Sequence, residues 1–130
     1  MTVQTPRIVA IDDTPASLSI YERSTSSLTV ELHAFASPNE SLRYLQGNDV
    51  DLVFLDMLMR EKDGLAVLKE LREMERHQDT SVIVVTSKDY DQDRLQARKW
   101  GTLEYLLKPL RSQEIREIIR RYTGASDVTD

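Results

Sequence analysis

The stretch Leu52-Val53-Phe54-Leu55-Asp56 is an unbroken apolar run that ends on a carboxylate, and it constrains the fold more than any other part of the chain. Strands buried on both faces are written as continuous hydrophobic runs, because helices cover the sheet on either side. A short loop follows, and Asp63-Gly64 opens a helical pattern. Such a strand carries its terminal Asp to the C-terminal edge of a parallel sheet, where open α/β sheets bind ligands. Taken alone, the segment is equally a strand followed by an Asp-containing turn.

The same grammar repeats along the chain. Arg7 to Ile11 is a short apolar run ending on Asp12-Asp13, and Thr14-Pro15 then reads as a helix start, with Thr14 as N-cap. That helix runs to about Thr25 and buries Leu18 and Tyr21. Val30 to Phe35 is a second strand. Ser37-Pro38-Asn39-Glu40 has the form of a capping box, and its helix places Leu42 and Leu45 on one face before stopping at Gly47. After the Leu52–Asp56 strand, Leu65, Leu68 and Leu71 recur at helical spacing, with Met74 or Glu75 continuing the pattern. Ser81 to Val85 is a fourth strand ending at Thr86-Ser87. Asp89 to Trp100 is a weakly amphipathic helix stopped by Gly101. Glu104 to Leu107 is a fifth strand ending at Lys108-Pro109. Ser112 to Tyr122 is a last helix that buries Ile115, Ile118, Ile119 and Tyr122. Strands and helices in strict alternation imply an α/β fold: a doubly wound, five-stranded parallel sheet with five helices, for which the flavodoxin-like order 2-1-3-4-5 is expected. Residues 1–123 form one domain in this reading, and the small polar residues 124–130 are a tail or the start of a linker.

Composition removes several classes of function. A net charge of −5 disfavours nucleic acid as the ligand. The absence of cysteine rules out disulfides and thiolate metal sites, and leads to the expectation of a cytoplasmic protein. The longest aliphatic run, Val82-Ile83-Val84-Val85, is far too short to span a bilayer, so no membrane association is expected.

The strand ends carry the chemistry. Asp12, Asp13, Asp56, Thr86 and Lys108 all fall at the same end of different strands and converge on one crevice in the expected order. Carboxylates held together repel, so one must take a proton or a cation must sit among them. An all-oxygen donor set selects a hard cation, and Mg²⁺ fits best because it leaves coordination positions for phosphate oxygens. Lys108 offers a compact positive charge to a phosphoryl group and Thr86 a hydroxyl donor, while a carboxylate is itself a competent nucleophile. Each element alone has a plain structural reading: a capping loop, a strand-end hydroxyl, a solvated lysine. Their common placement at one sheet edge is what argues against coincidence.

At these residues the sequence resembles the receiver domain of two-component response regulators, over about Arg7 to Tyr122. The resemblance rests on Asp12-Asp13, Asp56, Asp63-Gly64, Thr86 and Lys108-Pro109 in that order and spacing. It implies that Asp56 is the phosphoacceptor, supplied by a histidine kinase or a histidine phosphotransfer protein. It implies that Asp13 and Asp56 bind Mg²⁺ directly, with Asp12 acting through water and the Leu58 backbone carbonyl as a further ligand. Lys108 pairs with the phosphoryl group, Thr86 moves to bond it, Tyr105 is the switch aromatic that turns inward, and the bond before Pro109 is cis. Arg60 departs from the pattern, standing where many receivers have proline. Ser87 stands in place of a small Ala, and Leu58 and Lys88 flank the site.

The expected product is a signalling domain that catalyses only its own phosphorylation and dephosphorylation, read out on the fourth helix, fifth strand and fifth helix. Its target is a downstream protein or a fused output domain, and it acts as a monomer or a phosphorylation-dependent dimer. Basic residues Lys108, Arg111, Arg116, Arg120 and Arg121 outnumber the acids of that last segment; a solvated helix face is favoured over a docking patch for any one of them. Tyr90 and Trp100 are the candidate aromatic anchors, with burial against the sheet the competing role for Trp100. Two other functions share the architecture. An aspartyl-phosphate phosphatase needs a second acid two residues past the nucleophile, where Leu58 stands. A flavodoxin-like cofactor binder needs a Ser/Thr/Gly-rich loop after the first strand, which Asp12-Asp13-Thr14-Pro15 does not resemble.

Overall fold

The computed structural model describes residues 4–128. Five strands alternate with five helices: β1 (Arg7–Ile11), α1 (Pro15–Thr25), β2 (Glu31–Phe35), α2 (Pro38–Gly47), β3 (Leu52–Asp56), α3 (Gly64–Glu73), β4 (Ser81–Thr86), α4 (Asp91–Lys99), β5 (Glu104–Leu107) and α5 (Ser112–Thr123). A single 3-10 turn, Glu75–His77, links α3 to β4. All neighbouring strands pair in parallel, in the order β2-β1-β3-β4-β5 expected of the sequence. Among the described residues no helix is long and apolar enough to cross a membrane.

Side chains alternate across the sheet with a period of two. Ile8, Ala10, Leu52, Phe54, Ile83 and Val85 pack on one face against Tyr21 of α1 and Ile115, Ile118 and Ile119 of α5. Val9, Ile11, Val53, Leu55 and Val82 pack on the other against Leu42 and Leu45 of α2 and Val67, Leu68 and Leu71 of α3. Because both faces are covered, β3 is buried along its whole length, which is why its sequence shows no polar alternation. Helix α4 buries only Ala97, in keeping with its weak pattern.

Several boundaries and side chains differ from the sequence reading. α4 begins at Asp91 because Tyr90 takes the extended N-cap position. Leu18 and Leu65 are only partly covered, and Val67 supplies the buried position on α3 that the leucine spacing missed. Tyr122 is partly exposed rather than buried: its hydroxyl donates to Glu104 Oε2 at 2.6 Å, which draws the ring to the rim. Trp100 packs against the α2–α3 side of the core, so burial outweighs the anchor reading for it, whereas Tyr90 is exposed. Thr14 sits at the N-cap of α1 without capping it; Asp12 Oδ1 instead accepts from the Thr14 N–H (2.9 Å) and hydroxyl (2.7 Å). The box at Ser37 is half of what the motif describes. Ser37 Oγ accepts from the Glu40 N–H, but the answering carboxylate is Glu61, which accepts from the Ser37 hydroxyl (2.9 Å) and the Asn39 N–H (3.2 Å). Among the excess basic residues, Arg121 pairs with Glu104 and Arg120 with Asp127, each at 2.6 Å. With Lys108 paired to Asp12 and Asp56, three of the five basic side chains are thus neutralised within the chain.

After α5, Gly124 takes a left-handed conformation (φ 69°) and reverses the chain. The segment then runs along the α1–β2 turn, where Thr29 N–H donates to the Ser126 carbonyl (2.7 Å) and Val128 N–H to that of Ser27 (2.8 Å).

The close approach of α3 to β3 depends on one glycine. A Cβ at Gly64 would stand 2.3 Å from the Asp56 carbonyl oxygen and 2.6 Å from the Met57 Cα, both backbone atoms that have nowhere to go. Gly64→Ala is expected to lower stability by about 1–3 kcal/mol, the usual cost of overpacking. A urea unfolding midpoint equal to that of the unaltered protein would contradict this.

Candidate functional site

The site residues are placed by an extension of the sheet ladder past the strand ends. Asp12 N–H donates to the Phe35 carbonyl (3.1 Å), Met57 N–H to that of Val85 (3.0 Å), and Lys108 N–H to that of Thr86 (2.8 Å). Asp56 is in register with Val85, and Thr86 with Leu107, so Asp12, Asp56, Thr86 and Lys108 lie at one edge. β1 is also where the chain reverses its direction of travel across the sheet, the switch point at which such sheets open a crevice.

Asp12 is fully buried, Asp56 nearly so, and Asp13 is partly covered; one oxygen from each lies within 4.8 Å of the others. Lys108 Nζ stands 2.8 Å from Asp12 Oδ2 and 3.4 Å from Asp56 Oδ2. The ammonium lies off the axis of a well-directed bond to Asp12 Oδ2, an oxygen with no other side-chain or backbone partner, so this contact is chiefly Coulombic. One ammonium against three carboxylates leaves the cluster negative. The Asp56 carboxyl is accordingly pushed up to about 6, first by burial and then by the charge of Asp12. The Leu58 N–H, 3.2 Å from Asp56 Oδ1, and Lys108 pull in the opposite direction and only partly offset the rise. Buried oxygens, mutual repulsion and an under-bonded Asp12 Oδ2 fit a hard divalent cation.

Thr86 is buried, and its Oγ1 accepts from the Lys88 N–H at 3.3 Å. Val84 is in register with Tyr105 and Thr86 with Leu107, so Thr86 and Tyr105 project from the same face of the sheet, the one under α4. The Tyr105 ring lies 4.7 Å from the guanidinium carbon of Arg94, which is itself held in a two-pronged pair by Asp89 of the β4–α4 loop. The Tyr105 hydroxyl is buried without a partner, and desolvation raises its pKa. The Lys108–Pro109 peptide is cis. Leu58 is exposed at the mouth, as is Arg60, whose N–H donates to Asp13 Oδ2 at 3.0 Å.

Glu61 and Arg94 brace the site, yet nothing in the sequence marks them, because their partners Ser37 and Tyr105 lie on other elements. The sequence marks Thr14 as the N-cap of α1, but its N–H and hydroxyl serve Asp12 instead. Gly64 carried a signal in the Asp-Gly pair that opens α3, but not the reason for it.

The response regulator receiver domain family matches residues 8–120 of the chain. The cyclic di-GMP phosphodiesterase response regulator RpfG of Xanthomonas campestris pv. campestris is 30% identical over 84% of the chain and 29% of its own length. The response regulator Rre1 of Synechocystis is 31% identical over 87% of the chain and 49% of its own length. The chain thus spans half or less of these relatives. The chemotaxis protein CheY4 of Vibrio cholerae has the same fold, with a TM-score of 0.85 at 18% identity over 92% of the chain and 99% of that protein. The receiver domain of sensor histidine kinase PA1611 from Pseudomonas aeruginosa PAO1, described with a magnesium ion in its active-site cleft, superposes with a TM-score of 0.82 at 23% identity over 93% of the chain and 99% of that domain.

The raised Asp56 carboxyl makes stability depend on pH in a defined direction. Below 3.8 the group is protonated whether the chain is folded or not; between 3.8 and about 6 only the folded form retains the proton. Without divalent cation, its contribution to stability therefore falls as pH rises through that window. Asp56→Asn is expected to gain about 1–3 kcal/mol at about pH 7.5, and the gain should shrink as the pH is lowered toward the start of the window. Urea titrations of both proteins in a chelator at several pH values measure it, and a variant no more stable at the higher pH would refute the electrostatic account.

Proposed function

The chain belongs to the response regulator receiver domain family, whose members are the phosphorylation-dependent switches of two-component signalling, and we propose that in it Asp56 accepts a phosphoryl group from a histidine kinase or a histidine phosphotransfer protein. One Asp56 oxygen attacks the phosphorus of the donor phosphohistidine. The P–N bond breaks, the imidazole leaves with its electron pair and takes a proton, and an aspartyl-phosphate forms. Water later cleaves that acyl phosphate and restores the carboxylate. The single observation that carries the assignment is the Asp56 carboxylate itself: buried, raised to about 6, and facing Lys108. At neutral pH it is ionised, and its raised basicity makes it a better nucleophile than a solvated aspartate.

Asp13 and Asp56 hold Mg²⁺ directly in this reading, with Asp12 acting through water and the Leu58 carbonyl as a further ligand. A cation held there would offset the charge of both the carboxylate cluster and the incoming phosphoryl oxygens. Lys108 lies within reach of the new phosphoryl group once the charge of the Asp56 carboxylate is spread over it, and transfers its pairing to the added oxygens. Thr86 gives up its contact with the Lys88 N–H and donates its hydroxyl to the phosphoryl group. Space on the α4 face opens as Thr86 moves, and Tyr105 turns in, which releases its ring from Arg94.

The readout surface is then α4–β5–α5, where Tyr90, Leu95, Leu103 and Leu107 are exposed apolar side chains. A downstream protein or a fused output domain docks there, with the chain a monomer or a phosphorylation-dependent dimer. Residues 1–123 act as the receiver unit, and 124–130 as a tail or the start of a linker. A cytoplasmic location follows from the kinase that supplies the phosphoryl group. The chemistry is limited to the domain's own phosphorylation and dephosphorylation.

Incubation with acetyl phosphate and Mg²⁺ is expected to add one phosphoryl group at Asp56, read by intact mass and borohydride trapping. Asp56→Asn should abolish it and Lys108→Ala should slow it about 10²-fold, the scale of losing one preorganised charge at a transition state. Labelling that survives in the Asp56→Asn protein refutes the assignment. With beryllofluoride, amide and ring resonances of Tyr105 and the β4–α4 loop should shift; an unchanged spectrum there rejects the switch.

A further inference from the structure

Arg60 is a charged residue at the mouth of the site that the proposed chemistry leaves without a part. Its backbone is fixed from both sides. Met59 before it is buried in the α2–α3 core, and Glu61 after it is tied to the start of α2 through the Ser37 hydroxyl and the Asn39 N–H. Between these anchors the Arg60 N–H donates to Asp13 Oδ2 at 3.0 Å, a bond that a proline at this position has no hydrogen to make. The Arg60 Nε lies 3.9 Å from the same oxygen, on a side chain that is 93% exposed. Lys108 is engaged with Asp12 and Asp56, so Arg60 supplies the positive charge that faces Asp13.

We propose that Arg60 is a positioning residue that holds Asp13 and competes with the divalent cation for it. The backbone N–H aims the carboxylate, and the guanidinium neutralises it until a cation takes over. The inference rests on the cation-dependent reading above. Mg²⁺ binds carboxylate oxygens at about 2.0–2.1 Å, and a guanidinium beside the same oxygen repels it. Binding would therefore move the already exposed guanidinium further from Asp13, which its exposure permits without disturbing the fold. The N–H uses a different lone pair of the oxygen and remains in place. Cation affinity is consequently lower than a neutral residue 60 would allow, and this penalty fades with salt because the pair is exposed.

Isothermal titration calorimetry with MgCl₂, at low and at high NaCl, tests the idea on the unaltered protein and on Arg60→Ala, Arg60→Lys and Asp13→Asn. Arg60→Ala should bind about 2- to 5-fold tighter at low salt, the range of an exposed ion pair. The advantage should vanish at high salt, and Arg60→Lys should keep the weaker affinity. An Arg60→Ala Kd equal to or weaker than that of the unaltered protein at low salt overturns the role of Arg60 while leaving the cation site intact. Asp13→Asn should lose binding at least about 10-fold; if it does not, or if the unaltered protein binds no Mg²⁺, the cation site itself is wrong and the role of Arg60 falls with it.

Discussion

The repulsion between buried carboxylates is the constraint on which the rest of the site depends. Asp12 and Asp56 end adjacent strands, and the ladder that aligns β1 with β3 gives them no freedom to separate. Lys108, delivered from β5, is close enough to reduce the repulsion but is one charge against three. Burial first, and this residual repulsion second, raise the Asp56 carboxyl. A site in this condition gains from any process that brings in positive charge, and that is the physical opening for a cation, which in turn offsets the added charge of a phosphoryl group.

Holding such groups together requires a scaffold that does not relax. The sheet supplies it, being covered on one face by α1 and α5 and on the other by α2 and α3, with the strand interiors removed from water. The side under α4 is different. It buries Ala97 alone from its helix, and Tyr105 lies there beneath Arg94 rather than within a dense cluster. The part of the molecule assigned to the switch is thus the part with the thinnest packing, where rearrangement costs least.

The loop from Asp56 to Gly64 joins these two properties. Gly64 lets α3 close against the end of β3, Glu61 ties the loop to α2, and Leu58 and Arg60 turn their backbone N–H groups toward the Asp56 and Asp13 carboxylates. The loop therefore reports on both acids at once. The Leu58 and Arg60 side chains are open to solvent, while Met57 and Met59 beside and between them are buried, which leaves Leu58 and Arg60 free to vary without disturbing the backbone donors that orient the carboxylates.

Apolar runs ending on Asp12, Asp56, Thr86 and Lys108 were enough to read those strands, their parallel arrangement and the site-forming edge, because burial on both faces writes itself into continuous hydrophobic sequence. The strand order was expected only as the commonest winding of five such units, and the structure decided it. Periodicity also located the helices, though it favoured Leu65 over Val67 and buried Tyr122, since spacing alone does not say where a helix face meets the sheet. What only the tertiary structure decided were the partners brought together by the fold: Glu61 completing the cap at Ser37, Arg94 over Tyr105, Arg72 donating to the Trp100 carbonyl, and the buried His77 donating from Nε2 to the Leu45 carbonyl. These contacts join side chains by direction and distance across separate elements. Local sequence encodes hydrophobicity and backbone preference, but such directions exist only once the sheet has brought the elements together.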